Sequence, residues 1–190
     1  QIGSRLANKI WNASRYILMN VGETAWPLPE PAARTFEDRW ILSRLQKTTA
    51  ETHAAMKEYR LNDVATGIAR FFRDDFCDWY IEFTKQRLYG EDEKAKAAAF
   101  GVLVHVLGAS LRLLHPVMPF ITEEIWQRLP GASGSIMDAS YPEADPSLVD
   151  EEALARMAIV QEIVTGVRNV RAEMHLPPEK ALAAVVRSED

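Results

Sequence analysis

Apolar positions recur at helical spacing along most of the chain, which predicts a protein built from helices. In a first helix predicted over residues 4–20, Leu6, Ile10, Ala13 and Ile17 follow one another at i, i+4, i+7 and i+11. This spacing places them on one face of the helix, where they can join a core. Similar stripes predict five further helices, over about residues 35–59, 62–89, 91–114, 119–129 and 150–174.

Proline and capping residues indicate where these helices begin and end. Three prolines alternate over residues 27–31, which favours extended chain because proline cannot continue a helix. Thr35 and Asp38 resemble a capping box, with Asp in place of Glu. Residues 130–149 are a predicted loop, and residues 181–186 look like a strand that starts and is cut off. We therefore expect an all-α helical bundle of about six helices, followed by the start of a small α/β module at the C-terminus.

A second stripe of the first helix is polar. Arg5, Lys9, Asn12 and Tyr16 share the helical spacing and offer two cations, an amide and an aromatic ring. Such groups suit unpaired nucleotides, because cations hold phosphates, an amide reads a base edge and a ring stacks on a base. The alternative is an ordinary solvated helix face, which also carries Arg, Lys and Asn.

Charge limits how such a chain would bind nucleic acid. The 190 residues carry a net charge of −5, which argues against general affinity for nucleic acid. The first twenty residues nevertheless hold three basic residues and no acidic one. We therefore expect local, salt-sensitive contact through the first helix. A surface charge that only keeps the domain soluble is the alternative.

Catalytic and metal-binding patterns are missing from the sequence. The four histidines lie far apart and no CxxC pair occurs, so no metal site is expected. No glycine-rich phosphate loop occurs either, and we expect no catalysis by this chain alone. The single cysteine, Cys77, lies among aromatic residues and is expected to be buried and inert. Asp74 and Asp78 are expected to pair with Arg70 and Arg73 on a helix surface.

Four segments, taken together and in this order, resemble a known family. They read LANKIWNASRYILMN, DRWILSRL, FCDWYIEFTKQRL and LRLLHPVMPFITEEIWQRL. From Arg5 to about Val186, the chain resembles the helical anticodon-binding domain of class I aminoacyl-tRNA synthetases of the Val/Ile/Leu subgroup. The segment VRNVRAEMHLPP is similar to valyl-tRNA synthetases in particular. On this resemblance, residues 1–176 are the anticodon-binding domain, and residues 177–190 are a linker and the first strand of a truncated C-terminal module.

The resemblance implies a piece of a longer valine–tRNA ligase, which joins valine to its tRNA using ATP. The HIGH and KMSKS signatures of the catalytic domain do not occur here. ATP and Mg²⁺ are therefore expected to bind that missing domain, and no cofactor is expected in this chain. The implied partners are the anticodon loop of valine tRNA, read at its second and third anticodon bases, and the catalytic domain of the same parent. No DNA or membrane partner is expected, and the expected state is a cytoplasmic monomer.

The family's anticodon-binding positions carry over to five residues of this chain. Lys9 would contact a base or a phosphate, and Tyr16, where the family often has Phe, would stack on a base. The neighbouring NASR segment would support hydrogen bonding or phosphate contact. Ile81 stands where the family places an apolar residue against a base, and Arg5 is added from its place on the polar stripe. The predicted anticodon-binding residues are Arg5, Lys9, Asn12, Arg15, Tyr16 and Ile81.

Two other interpretations stay open at this point. One is a helical protein-interaction module without an RNA role, in which Trp11 and Trp26 would seed an apolar surface patch. The other is the same domain of isoleucyl-tRNA synthetase. Arg168, Asn169 and Arg171 either stabilise the end of the last helix or contact the tRNA stem or the catalytic domain.

Overall fold

The structure is a computed structural model of the chain, and it describes residues 2–177 together with Lys180, Ala183 and Val185. All regular structure in these residues is helical, which confirms the all-α prediction. The predicted strand over residues 181–186 lies, apart from Ala183 and Val185, outside the described residues. The helices are α1 (Ile2–Val21), α2 (Phe36–Lys57), α3 (Leu61–Arg70), a π-helix (Phe71–Tyr80), α4 (Ile81–Leu88), α5 (Glu93–Leu114), α6 (Pro119–Trp126) and α7 (Glu151–Glu173).

The chain forms two compact units, residues 1–150 and residues 151–190. In the first unit α5 is the central helix, because it contacts α1, α2, α3, α4 and α6. It begins after Asp92, whose carboxylate accepts hydrogen bonds from the backbone N–H groups of Lys94 and Ala95. By length and composition α5 could cross a membrane, but most of it is buried inside the protein. An apolar helix buried in this way is the core of the bundle.

The proline-rich segment after α1 lies directly on α5. The Trp26 ring contacts the Phe100 ring at a centroid distance of 5.0 Å, and its indole N–H donates to the carbonyl of Val21 at 3.0 Å. Gly101 makes this approach possible, since a Cβ there would overlap the carbonyl oxygen of Pro27. The extended segment thereby holds the C-terminal end of α1 against the core.

Asp38 caps α2 and also takes part in a buried ion pair. The Thr35 hydroxyl accepts from the Asp38 N–H, and the Asp38 carboxylate accepts from the Thr35 N–H at 3.0 Å, which confirms the predicted capping box. The same carboxylate is fully buried and accepts from the Tyr80 hydroxyl at 2.5 Å. Arg87 donates to both of its oxygens, at 2.8 and 2.6 Å. These bonds fix the start and the end of α4 against α2.

A π-helix joins α3 to α4, so that residues 61–88 form one continuous helical run. The N–H of Ile81 donates to the carbonyl of Phe76, five residues earlier, as the wider π turn requires. The sequence predicted one helix here but not the change of pitch. Four aromatic side chains of this segment are buried, and the last three of them form a row with ring centroids 5.5 and 6.2 Å apart. They are Phe71, Phe72, Phe76 and Tyr80.

The second unit consists of α7 and the chain that follows it. Several large apolar side chains in and just after α7 remain exposed, although the spacing of Ile163, Val167, Val170 and Met174 predicts a stripe that could join a core. Arg171 donates to the carbonyls of Pro177 and Lys180, at 2.5 and 3.1 Å, and so holds the chain after the helix. The exposed apolar residues are Ile159, Ile163, Val167 and Val170 of α7, and Met174 just after it.

Candidate nucleic-acid interface

A groove runs between α1 and the opposite wall made by the end of the π-helix and α4. We call it the α1–α4 groove; it has a volume of about 460 Å³ and opens to solvent. Four of the six predicted site residues line it, which brings together two segments separated by more than sixty residues of chain. The lining residues are Lys9, Asn12, Ala13, Tyr16, Cys77, Asp78, Ile81, Glu82 and Lys85.

Helical spacing explains why these side chains meet. Lys9, Asn12 and Tyr16 lie at i, i+3 and i+7 on α1, and therefore share one face. On the opposite wall Asp78 and Lys85 stand seven residues apart and also share a face. The buried ion pair of Asp38 holds that wall in place.

Lys9 is already paired inside the groove. Its ammonium donates to the carboxylate of Asp78 at 2.5 Å, and both side chains are partly exposed, at 33% and 54%. The sequence suggested Arg70 and Arg73 as partners of Asp74 and Asp78. Arg73 does pair with Asp74, but Asp78 pairs across the groove with Lys9, which is a correction to that prediction. No spacing along a single helix signals this pair, because it joins two helices.

Tyr16 presents a neutral ring. Burial first, and then its hydrogen bond to the Tyr89 hydroxyl at 3.1 Å, raise the pKa of Tyr16 above its ordinary value. The Lys85 ammonium lies 5.9 Å from the centroid of the ring, within the range of a cation–π contact. Lys85 also pairs with Glu82 at 2.7 Å. An uncharged aromatic face held in this way is suited to stacking on a base.

The charges of the groove cancel. Lys9 and Lys85 supply two positive charges, and Asp78 and Glu82 supply two negative ones within hydrogen-bonding distance of them. A phosphate entering the groove would meet carboxylates as well as ammonium groups, and would gain little. Base edges carry both donors and acceptors, so they match this mixed lining better.

The floor of the groove is apolar. Ile81 is 6% exposed and Cys77 is 9% exposed, and both line the groove below the charged side chains. Burial raises the pKa of the Cys77 thiol to about 12, which makes the thiolate rare at neutral pH. The prediction that Cys77 is buried is therefore confirmed, and Ile81 places an apolar side chain in the groove.

Replacing Cys77 with alanine should make the free energy of unfolding fall less steeply as pH rises above 8. The pKa of the thiol is 9.0 in the unfolded chain, its ordinary value, and burial raises it to about 12 in the folded chain. Between these values the unfolded state releases its proton first, so the free energy of unfolding falls as pH rises. Between pH 8 and pH 10, we expect the free energy of unfolding of Cys77→Ala to fall by about 1 kcal/mol less than that of the parent. Urea unfolding of both proteins at the two pH values measures this, and equal losses would contradict it.

Two predicted site residues lie away from the α1–α4 groove. Arg5 is exposed at the start of α1 and, unlike Asn12, does not line the groove. Arg15 lines a different groove, on the side of α1 that faces α6. Since successive residues of a helix are rotated by about 100°, Arg15 points away from its neighbour Tyr16. The structure thus groups Lys9, Asn12, Tyr16 and Ile81, and separates Arg5 and Arg15 from them.

Other candidate residues take structural positions. Tyr80 is fully buried in the core, and Trp79 packs on Phe83 with ring centroids 5.8 Å apart. In the part of the chain that the structure describes, no group of three or more His, Cys, Asp or Glu side chains could hold a metal ion. Arg168 and Asn169 are exposed on α7.

Comparison with known proteins gives one family match. A family model for the anticodon-binding domain of tRNA ligase matches residues 38–186. The matched range begins after α1, so Lys9, Asn12 and Tyr16 lie outside it. The α4 wall of the groove lies inside it.

Similar curated proteins match nearly the whole chain. A valine–tRNA ligase of Geobacter sulfurreducens is 48% identical over 94% of this chain, and one of Thermotoga maritima is 48% identical over 96%. A valine–tRNA ligase of Geobacillus stearothermophilus is 45% identical over 97%. The chain spans only 21% of the length of each of these relatives.

A solved structure has the same fold over most of the chain. The ternary complex of LeuRS, tRNA and LeuAMS from Agrobacterium radiobacter K84 aligns with a TM-score of 0.58. The alignment covers 79% of this chain and 17% of the LeuRS chain, at 20% sequence identity. At this identity the likeness establishes the helical fold alone.

Proposed function

Because the chain belongs to the anticodon-binding domain family of tRNA ligases, we propose that it binds the anticodon loop of valine tRNA as part of a valine–tRNA ligase. The observation that carries the proposal is the α1–α4 groove. It sets a cation, an amide and a neutral tyrosine ring beside an apolar floor. The valine–tRNA ligases among the similar proteins support valine rather than isoleucine as the amino acid.

The lining of the groove favours reading of bases over holding of phosphates. Tyr16 would stack on an unpaired base, worth about 1–3 kcal/mol whatever the base. Stacking alone does not discriminate, so the choice of base would fall to edge contacts by Lys9, Asn12 and Asp78. A loop of unpaired nucleotides can turn its Watson–Crick edges toward such groups.

The rest of the proposal concerns the parent protein. ATP and Mg²⁺ would bind its catalytic domain, and the present chain would supply only tRNA contacts. Residues 1–176 would form the anticodon-binding domain, with the chain from residue 177 leading into the next module. The proposed location is the cytoplasm, and the proposed state is a monomer joined to the catalytic domain of the same chain.

Binding to RNA hairpins tests the proposal. One hairpin would carry the valine anticodon, and a second would have its second and third anticodon bases exchanged. We expect the chain to prefer the valine hairpin at both low and moderate salt, because base contacts are less sensitive to salt than phosphate contacts. Equal and strongly salt-dependent binding of the two hairpins would contradict base reading by this groove.

Replacing Lys9 with alanine should weaken binding of the valine hairpin about tenfold, since a good base-edge contact is worth about 1–3 kcal/mol. Lys94→Ala is the matched control, because Lys94 is an exposed lysine at the start of α5, outside the groove. Affinities measured by fluorescence anisotropy decide the outcome. Equal affinity for a folded Lys9→Ala variant and the control would remove Lys9 from the interface.

Replacing Asp78 with asparagine should weaken discrimination rather than binding. The substitution releases Lys9 and leaves the groove with one net positive charge, which attracts any RNA. We expect the affinity for the exchanged hairpin to rise several-fold. The slope of log affinity against log salt should steepen by about 0.7, the value for one more neutralised phosphate of a single strand. An unchanged slope would show that Asp78 does not screen Lys9 from phosphate.

A second candidate function is docking of another protein. It is favoured by exposed apolar side chains in and just after α7, because contiguous exposed apolar residues often mark interaction surfaces. They are Ile163, Val167, Val170 and Met174. The absence of hairpin binding would favour this second function over RNA binding. This function would then be tested by charged substitutions at Val167 and Val170 and by measuring the mass of the complexes formed.

A further inference from the structure

α1 borders a second groove on its other side, against α6. We call it the α1–α6 groove; its volume is about 390 Å³ and it lies within the first unit. Apart from Arg15, its residues have no part in the proposed anticodon contact. The lining residues are Trp11, Ser14, Arg15, Leu18 and Met19 of α1, Ile125 of α6, and Arg128 just after α6.

The wall of this groove contains a hydroxyl group without a partner. Ser14 is 1% exposed, and its Oγ has no hydrogen bond to any described residue. Within a helix a serine commonly bonds the carbonyl four residues earlier, and a buried polar atom left unpaired weakens the fold. Since Ser14 lines the groove, a ligand there could supply the missing bond.

Large apolar side chains stand at the mouth of the groove. Trp11 is 42% exposed and Met19 is 74% exposed, while Ile125 is buried and forms part of the floor. An exposed indole ring beside an apolar floor provides a flat surface on which a base can stack.

Two guanidinium groups lie beside this apolar surface. Arg15 is exposed and has no ion pair among the described residues. Arg128, just after α6, pairs with Glu124 of that helix. The α1–α6 groove is therefore more positive than the neutral α1–α4 groove. Guanidinium groups hold phosphates in bidentate fashion, so RNA phosphates gain more on this side of α1.

We propose, resting on the proposed function, that the α1–α6 groove holds one further unpaired nucleotide of the same RNA loop. Its base would lie against Trp11 with an edge bonded to the Ser14 hydroxyl. Its phosphates would pair with Arg15 and Arg128. The loop would thus cross α1, with bases in the neutral groove on one side and phosphates gripped on the other.

A coupling experiment with modified hairpins tests this site. Each valine hairpin would have one loop nucleotide replaced by an abasic residue, and binding would be measured with the parent chain and with Trp11→Ala. At one loop position we expect the abasic change to cost the parent about tenfold in affinity and to cost Trp11→Ala almost nothing. Trp11→Phe should restore most of the loss, because a phenyl ring also stacks.

Charge and hydroxyl variants supply independent readouts. Arg15→Gln and Arg128→Gln should each reduce the salt slope by about 0.7, whereas Arg60→Gln, an exposed arginine at the turn between α2 and α3, should leave it unchanged. Ser14→Ala should weaken hairpin binding several-fold without lowering the urea midpoint of unfolding. A serine with a purely structural role would not give this combination.

The possible outcomes separate this inference from the proposed function. If Lys9→Ala weakens binding while the variants of the α1–α6 groove bind as the parent does, the second nucleotide site is wrong and the anticodon proposal stands. If the arginine variants lower affinity but no abasic position couples to Trp11, the groove does not hold a base and the inference is also wrong. If variants of neither groove affect hairpin binding, both proposals fail together.

Discussion

Replacing Asp38 with alanine should lower the free energy of unfolding by about 3–5 kcal/mol, the largest effect expected for a single substitution in this chain. The carboxylate is fully buried and accepts hydrogen bonds from Tyr80 and from two nitrogens of Arg87. Its removal leaves the Arg87 guanidinium, which is 14% exposed, without its counter-charge. The capping box with Thr35 is lost at the same time.

Urea unfolding at neutral pH measures this effect, with Asp63→Ala as the matched control. Asp63 pairs with Arg60 in an exposed position, and exposed pairs are worth at most about 1 kcal/mol. We therefore expect the control to unfold near the parent. If Asp38→Ala and Asp63→Ala lower the free energy of unfolding by the same amount, the buried pair does not hold α4 against α2.

Replacing Tyr16 with alanine should weaken binding of the valine hairpin by about tenfold or more. The ring is the only aromatic side chain lining the α1–α4 groove among the described residues, and loss of one base stack costs about 1–3 kcal/mol. Binding of both hairpins should weaken by a similar factor, because stacking tolerates any base. This uniform loss distinguishes Tyr16 from Lys9, whose removal should affect the valine hairpin more than the exchanged one.

The conservative variant Tyr16→Phe separates stacking from hydrogen bonding. It keeps the ring and removes only the bond to the Tyr89 hydroxyl, so we expect affinity within about twofold of the parent, since net loss of an exposed hydrogen bond is small. Hairpin titrations should be run beside urea unfolding to show that both variants are folded. Tenfold weakening by Tyr16→Phe would place the hydroxyl, rather than the ring, in contact with RNA.

Local periodicity was enough to predict one wall of the candidate site. Lys9, Asn12 and Tyr16 belong to one helix, and their spacing alone places them on one face. The capping box at Thr35 and Asp38 was predictable for the same reason, because all of its atoms lie within one turn. The family resemblance, confirmed by the match over residues 38–186, added Ile81 from the other wall.

Long-range pairs could not be predicted in this way. Lys9 and Asp78 are 69 residues apart, and Asp38 and Arg87 are 49 residues apart, so only the packed fold brings them together. The π-helix also escaped prediction, because its aromatic residues suit a buried α-helix equally well. The neutral charge of the groove, which shapes its proposed chemistry, follows from these unpredicted neighbours.

Helical periodicity and the family resemblance each place one arginine wrongly beside the α1–α4 groove. Arg5 shares the polar stripe, but it lies one turn before the groove begins. Arg15 was included because its segment matches the family, although helical rotation turns it toward α6. Periodicity gives the angle of a side chain around its helix, and only the tertiary fold gives what stands opposite.

The balanced charges of the α1–α4 groove affect the rates at which RNA loops bind and dissociate. A neutral groove exerts little attraction at a distance, so RNA loops of different sequence should arrive at similar rates. Base contacts form only after arrival, and differences between related complexes lie mostly in how fast they dissociate. A loop with the wrong bases would leave quickly and the right one would stay, so selection among tRNAs of equal charge and similar shape would rest on residence time.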